Sequence, residues 1–333
     1  MAIDLGPVQI IKLETISDEG RAAWLAERMR DVTASDVASI CGIGRRSPYA
    51  VWAEKQGLTE GVTETNIMER GRVLEPSIMR GMAIHYPKVK LYEANVYLRA
   101  LQHRLGATPD FFGEVLETFV GEDGHVWHPG PILVQGKIVS RPVFDEKWLE
   151  DPGEEYSETA VPLEFQLQTL TETMLFERAF NQVDMQASVA ALTIDTYSYG
   201  FHFLPVNRHE KAEALIIKKA DEFWAGGEPP VDYKRDYETL ARIWPADSGE
   251  EIDLTDNNAL PALFDERKDL GEVVKAAELR RAEIKTEFLE AMREASIALL
   301  ADGRRVSLKK SRDSLVPAHI KKGSRVLRIA KAD

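Results

Sequence analysis

The run Ile132-Leu133-Val134-Gln135-Gly136-Lys137-Ile138-Val139 restricts this chain more than any other stretch. A continuous apolar run of this length reads as a buried strand. Alternate side chains of a strand share a face, so Gln135 and Lys137 point one way while Val134 and Ile138 point the other. Two polar residues on one face of a buried strand are expensive, at about 2–7 kcal/mol for each group left without a partner. Upstream, the turn Gly106-Ala107-Thr108-Pro109-Asp110 supplies a carboxylate. Asp110, Gln135 and Lys137 therefore either satisfy one another or hold a ligand.

Composition narrows the classes. At 333 residues the chain accommodates one large domain or two of about 150 residues. Its 44% apolar and 29% charged residues are those of a soluble globular protein. No apolar run approaches the roughly 20 residues of a membrane span, and the first residues lack a basic-then-apolar signal pattern, so cytoplasmic residence is the expectation. Cys41 is the only cysteine, which excludes an intramolecular disulfide and a thiolate zinc cluster. A metal would need oxygen ligands. The net charge of −13 is unevenly spread: residues 304 to 331 carry ten Lys or Arg against one Asp, net +9, which leaves −22 on the remainder. Net charge governs the long-range field and leaves a local basic groove open.

Along the chain, Ser17-Asp18-Glu19-Gly20 predicts a helix start with Ser17 as N-cap, followed by Trp24, Leu25, Arg28 and Met29 at helical spacing. Thr33 to Ile40 predicts a second helix and Ser47-Pro48-Tyr49 starts a third. Residues 66 to 84 read as one amphipathic helix with Met68, Leu74, Ile78, Met79 and Met82 on its apolar face. Val89 to Tyr97 and Phe111 to Val120 read as strands, with a hairpin at Gly121-Glu122-Asp123-Gly124. His125 and His128 flank that hairpin without nearby partners and are not read as metal ligands. A helix or loop follows over Arg141 to Glu150, then a mobile acidic loop over Asp151 to Thr159. Leu163 to Phe176 is helical, with Gln168 and Glu172 one turn apart. Asp184 to Pro205 suggests a hairpin closing the sheet, and His209 to Trp224 a further helix. Pro261 to Leu300 has a helical period interrupted at Gly271, giving one helix or a helical hairpin with Leu263, Val274, Ala277, Ile284, Phe288 and Met292 inward. In the basic tail, Val306 to Lys310 and Ser324 to Ile329 alternate as if to pair. That tail reads equally as a phosphate-contacting surface or a solvated hairpin.

A turn aspartate followed by Gln135-Gly136-Lys137 resembles the PD-(D/E)XK nuclease active site. More narrowly, residues 21 to 235 resemble the YqaJ-type viral recombinases, relatives of the phage lambda exonuclease. Five blocks in one order carry the resemblance: Arg28 with Val32-Thr33-Ala34-Ser35-Asp36; Met68-Glu69-Arg70-Gly71-Arg72-Val73-Leu74-Glu75-Pro76; the Gly106 to Asp110 turn; Gln135-Gly136-Lys137; and Gln166-Leu167-Gln168. The chain departs from the family at Gln135, where glutamate is usual. A neutral amide oxygen can ligate a hard cation but brings no charge, and Mg²⁺ favours carboxylates and water.

The resemblance implies an α/β fold, a PD-(D/E)XK-like mixed sheet flanked by helices. It occupies residues 1–235, with a helical or coiled-coil extension over 250–302 and a basic β-like appendage over 303–333. It implies a metal-dependent 5′ to 3′ exonuclease acting on double-stranded DNA ends in phage-type recombination. Mg²⁺, or Mn²⁺ in its place, would be held by Asp110, Gln135 and Gly136; Lys137 would orient or deprotonate the attacking water, and Glu75 and Gln168 would support the site. Arg28, Thr33 and Ser35 would take the 5′ phosphate, in keeping with the affinity of hydroxyls, helix-start amides and an arginine fork for anions. Implied partners are a single-strand annealing protein and two further copies in a ring of three. Two other readings stay open: a weakened nuclease fold that binds DNA ends, and a helix-turn-helix-like protein reading DNA through residues 33 to 54.

Overall fold

Apolar side chains on both faces make Gly130–Ser140 a central strand, and the computed structural model grows outward from it. It describes residues 4–13, 18–59, 65–149 and 159–309. The chain divides into two units, Met1–Trp244 and Pro245–Asp333.

The first unit opens with β1 (Val8–Lys12), α1 (Asp18–Met29), β2 (Val32–Thr33), α2 (Ala34–Ile40), α3 (Pro48–Lys55), α4 (Asn66–Leu74) and α5 (Pro76–His85). Strands β3 (Val89–Glu93), β4 (Val96–Ala100), β5 (Leu105–Ala107), β6 (Phe111–Val115), β7 (Phe119–Val120), β8 (Val126–Trp127) and β9 (Gly130–Ser140) follow. Then come α6 (Arg141–Lys147), α7 (Leu163–Phe180), β10 (Gln186–Ile194), β11 (Tyr199–Val206), α8 (Glu210–Ala225) and α9 (Tyr237–Ile243). A five-stranded sheet runs β11-β10-β9-β6-β3, and a four-stranded sheet runs β1-β4-β5-β2. The larger sheet is mixed: β9 pairs parallel with β10 and antiparallel with β6.

The strand period sorts β9 into two cores. Leu133 and Val139 enter one, with α2, α7 and the four-stranded sheet; Ile132 and Val134 enter the other, with Ile78, Met82, Trp127 and Phe203. Helix α7 packs on both main sheets and on α2 and α8. Burial from Thr169 to Phe176 is therefore unbroken. The threonine hydroxyls in that stretch each donate to the carbonyl four residues back: Thr169 to Phe165 at 2.8 Å, Thr171 to Leu167 at 2.7 Å and Thr173 to Thr169 at 2.8 Å. The smaller sheet is fastened to α1 by buried ions. Arg99 Nε donates to Asp31 at 2.7 Å and its Nη2 to Glu27 at 2.7 Å, while the Tyr97 hydroxyl donates to Asp31 at 2.8 Å. Only glycine fits at Gly106 beside this network, because a Cβ there would lie 1.9 Å from the Tyr97 oxygen.

Several expectations are corrected. The helix predicted over 66–84 is two, since Pro76 has no N–H to continue α4 and instead starts α5, leaving Glu75 as the cap of both. The strand expected over Phe111 to Val120 stops at Val115, and Phe119–Val120 turns away to pair with Val126–Trp127. Helix α9 belongs to the first unit because buried Asp236 at its N-cap accepts hydrogen bonds from the Ser47 hydroxyl and the Asp232 amide.

In the second unit, α10 (Ala259–Met292) runs 34 residues straight through Gly271, with no hairpin. Of its expected inward residues only Met292 is buried; Leu263 and Val274 are 56% and 55% exposed. The strand expected from Val306 is β13 (Arg305–Ser307), paired antiparallel with β12 (Ile297–Leu299). Its expected partner Ser324–Ile329, the Ser17 cap and the loop over 150–158 lie outside the described residues. No described helix is long and apolar enough to cross a membrane.

Candidate active site

Register brings the first two groups together. Phe111 pairs with Val134 across β6 and β9, so Asp110, one residue before β6, lies beside Gln135. Asp110 Oδ2 accepts from the Gly136 amide at 2.8 Å and from Gln135 Nε2. Gly136 is small for this reason: a Cβ there would meet Phe111, Ile78 and Asp110 Oδ2 at 3.2 to 3.4 Å. Lys137, on the same face as Gln135, donates to Gln168 Oε1 at 3.0 Å and lies 4.6 Å from the Phe165 ring centroid. Gln168 Nε2 in turn donates to Glu172 Oε1 at 2.9 Å.

The electrostatics are those of crowded carboxyls. Burial, Asp110 and Glu93 push Glu75 up to about 7, against the pull of Lys137. Burial and the charge of Asp110 push Glu172 up to about 8, against Gln168, Lys137 and Arg28. Asp110 is itself raised by burial, which outweighs Lys137 and the hydrogen bonds from Gly136 and Gln135. Two buried oxygens here, Gln135 Oε1 and Glu172 Oε2, have no hydrogen-bond partner. Among the described residues no group of three His, Cys, Asp or Glu is arranged to hold a metal. The converging donors are instead a mixture of amide and carboxylate oxygens.

Beside this cluster, a directed chain of hydrogen bonds starts at Arg28. Its Nη2 donates to Ser35 Oγ at 2.9 Å and lies 3.5 Å from Thr33 Oγ1. Thr33 gives its one hydroxyl proton to Asp36 at 2.7 Å, so across the 2.9 Å contact of the two hydroxyls Ser35 is the donor. The Thr33 amide also donates to Asp36, at 3.1 Å. The Thr33 amide at this helix start is thus already taken by Asp36 and the Ser35 proton by Thr33, so the remaining N–H groups of Arg28 are the donors placed to face an anion. Ser35 is the exposed member of an otherwise buried stretch from Asp31 to Ile40. Burial would raise the Asp36 carboxyl, but Lys55, Arg46 and Arg28 together hold it below the usual range. Lys55 Nζ reaches both Asp36, at 3.0 Å, and the Arg28 carbonyl, at 2.9 Å. Trp24, under the Arg28 guanidinium, donates to Thr108 at 3.1 Å and so ties α1 to the Asp110 turn.

The structure thus gathers Asp110, Gln135, Gly136, Lys137, Glu75 and Gln168, with Arg28, Thr33 and Ser35 alongside. Sequence reasoning gave no role to Glu172 or Lys55. The four-residue step from Gln168 was the available signal for Glu172; Lys55 had none, because its contacts are 19 and 27 residues away. His125 packs edge-on against Trp127, and the His128 backbone bonds Gln186, so neither sits among ligands. The helix-turn-helix reading is not favoured: no residue of α3 is exposed, and its Glu54 and Lys55 are paired with Arg46 and Asp36.

A mixed sheet with an aspartate at one strand and a Gln-Gly-Lys on the next, backed by a glutamine-bearing helix, defines a PD-(D/E)XK-like fold. A family model, the YqaJ-like viral recombinase domain, matches residues 23–191, just over half of the sequence. The chain belongs to this family. Similar solved structures include an alkaline exonuclease from Laribacter hongkongensis, at 18% identity over 61% of this chain and 91% of that one, TM-score 0.41. The shutoff and exonuclease protein of Kaposi's sarcoma-associated herpesvirus matches at 11% identity over 64% and 69%, TM-score 0.32. No curated protein gives a significant match.

Proposed function

We propose that the chain is a divalent-metal-dependent exonuclease that degrades the 5′-ended strand of double-stranded DNA in recombination. The observation that carries this reading is the adjacency of two differently equipped sites: an oxygen-rich, carboxyl-crowded cluster around Asp110 and a guanidinium–hydroxyl cradle at Arg28 and Ser35. The cluster fits Mg²⁺ or Mn²⁺, because its donors are all oxygen and two of them are buried without partners. Asp110, Gln135 and Gly136 would hold the ion, which supplies Lewis acidity and a more acidic bound water.

The chain's own groups do the remaining work. Lys137, steadied by Gln168 and the Phe165 ring, presents its ammonium to a phosphate oxygen or to the attacking water. Glu75, raised toward neutrality, is suited to exchange a proton near the reacting phosphate. Arg28 offers its remaining N–H groups to a terminal phosphate by charge-assisted bonds, with Ser35 Oγ beside it. An annealing protein that receives the exposed strand and a ring of three subunits extend the same proposal.

A second reading is favoured by one specific contact. The Gln135 amide donates to Asp110, so the aspartate has a compensating donor without a cation, as suits a protein that only binds DNA ends. Digestion of end-labelled duplex with Mg²⁺ or Mn²⁺ separates the two. The exonuclease reading expects release that disappears in Asp110→Ala and in Lys137→Ala with the fold intact; degradation unaffected by both substitutions refutes it.

A further inference from the structure

We infer that Glu172 is an anionic ligand of the cation site, supplying from helix α7 the second carboxylate that neutral Gln135 does not provide on β9. The inference rests on the nuclease reading above. Glu172 is 1% exposed, in the stretch of α7 buried on every side. The polar neighbours in that stretch, Thr169, Thr171 and Thr173, satisfy their hydroxyls inside the helix. Glu172 does not. Its Oε1 accepts from Gln168, and its Oε2 has no partner.

A carboxyl in this setting is costly unless something compensates it. Elsewhere in the protein the compensation is visible: Asp31 meets Arg99 at 2.7 Å, Asp36 meets Lys55 at 3.0 Å and Glu213 meets Arg208 at 2.5 Å. Leucine or methionine would fill the position of Glu172 at no such cost. Gln168 explains its orientation. With its carbonyl committed to Lys137 and its amide to Glu172 Oε1, Gln168 fixes the carboxyl and leaves Oε2 available. The other orphaned oxygen of the region, Gln135 Oε1, belongs to the residue bonded to Asp110, whose charge also acts on Glu172. One orphaned oxygen thus sits on the residue bonded to Asp110, and the other is joined to Lys137 of the same strand face through Gln168; oxygens of this kind are what a hard cation takes.

The test is calorimetric titration of Mn²⁺ into the full chain without DNA. The unsubstituted protein should bind Mn²⁺ in a manner abolished by Asp110→Ala. Glu172→Gln keeps the shape and the hydrogen bond from Gln168 but removes the charge, and should weaken Mn²⁺ binding about 10–100-fold. Adding Gln135→Glu to that variant should recover most of the affinity, which repair of a packing defect could not achieve. Asp110-dependent binding that Glu172→Gln leaves unchanged, or that Gln135→Glu fails to rescue, overturns the role of Glu172 while the nuclease reading stands. Absence of any Asp110-dependent Mn²⁺ binding overturns both.

Discussion

Replacing Lys55 with alanine should loosen the Arg28–Ser35 cradle and cost about 2–4 kcal/mol of stability. The Lys55 side chain is 3% exposed; its Nζ lies 3.0 Å from Asp36 Oδ2 and donates to the Arg28 carbonyl at 2.9 Å. Removing one partner of a buried ion pair typically costs about 3–5 kcal/mol, because the other charge is left uncompensated. Here Arg46 remains 3.5 Å from the second Asp36 oxygen and Thr33 keeps its two hydrogen bonds, which lowers the expected loss. Acid unfolding adds a second readout. Asp36 is depressed in the folded protein, so its contribution is fully present above the unfolded value of about 3.9 and is lost as pH falls through the lower folded value. Without Lys55, burial regains weight, the folded carboxyl moves up toward the unfolded value and the part of the stability lost on acidification shrinks. Urea melts of Lys55→Ala between neutral and acid pH measure both effects. A loss below about 1 kcal/mol with an unchanged acid limb would refute the reasoning.

Arg28→Ala should slow digestion of 5′-phosphorylated duplex about 10- to 100-fold, the range of one charge-assisted hydrogen bond, and of 5′-hydroxyl duplex much less. Equal slowing of both substrates would leave Arg28 a structural role only. Gln135→Glu should tighten Mg²⁺ binding and raise the rate, because it adds a carboxylate opposite Asp110; a fall from a robust starting rate would make glutamine the proper ligand.

How much of this was legible in the sequence depended on range. The β9 run and the turn before Asp110 gave the two faces of the strand, because a period of two leaves no other assignment for Gln135 and Lys137. The α4–α5 break at Glu75 was obscured by a continuous apolar pattern that outweighed the missing N–H of Pro76. Gly271 failed to break α10 because an exposed helix accepts a glycine for about 1 kcal/mol. The sequence reading offered helix-start amides to an anion in general, but the Thr33 amide is taken by Asp36 three residues on. The four-residue step placed Glu172 beside Gln168, but the burial of Glu172 and of the Lys55 side chain had no local signal. Their burial is set by packing between α1, α2, α3 and α7, which no local pattern encodes.

The most direct measurement follows both ends of one strand. A duplex with a 5′-phosphorylated, 5′-labelled strand is compared with the same duplex labelled at the 3′ end, each incubated with Mg²⁺. The 5′ label should appear first as mononucleotide, with the 3′ label retained in progressively shorter fragments, and chelation of the metal should stop both. Release that starts at the 3′ end, or that proceeds equally after chelation, would contradict a metal-dependent exonuclease anchored at Arg28 and Ser35.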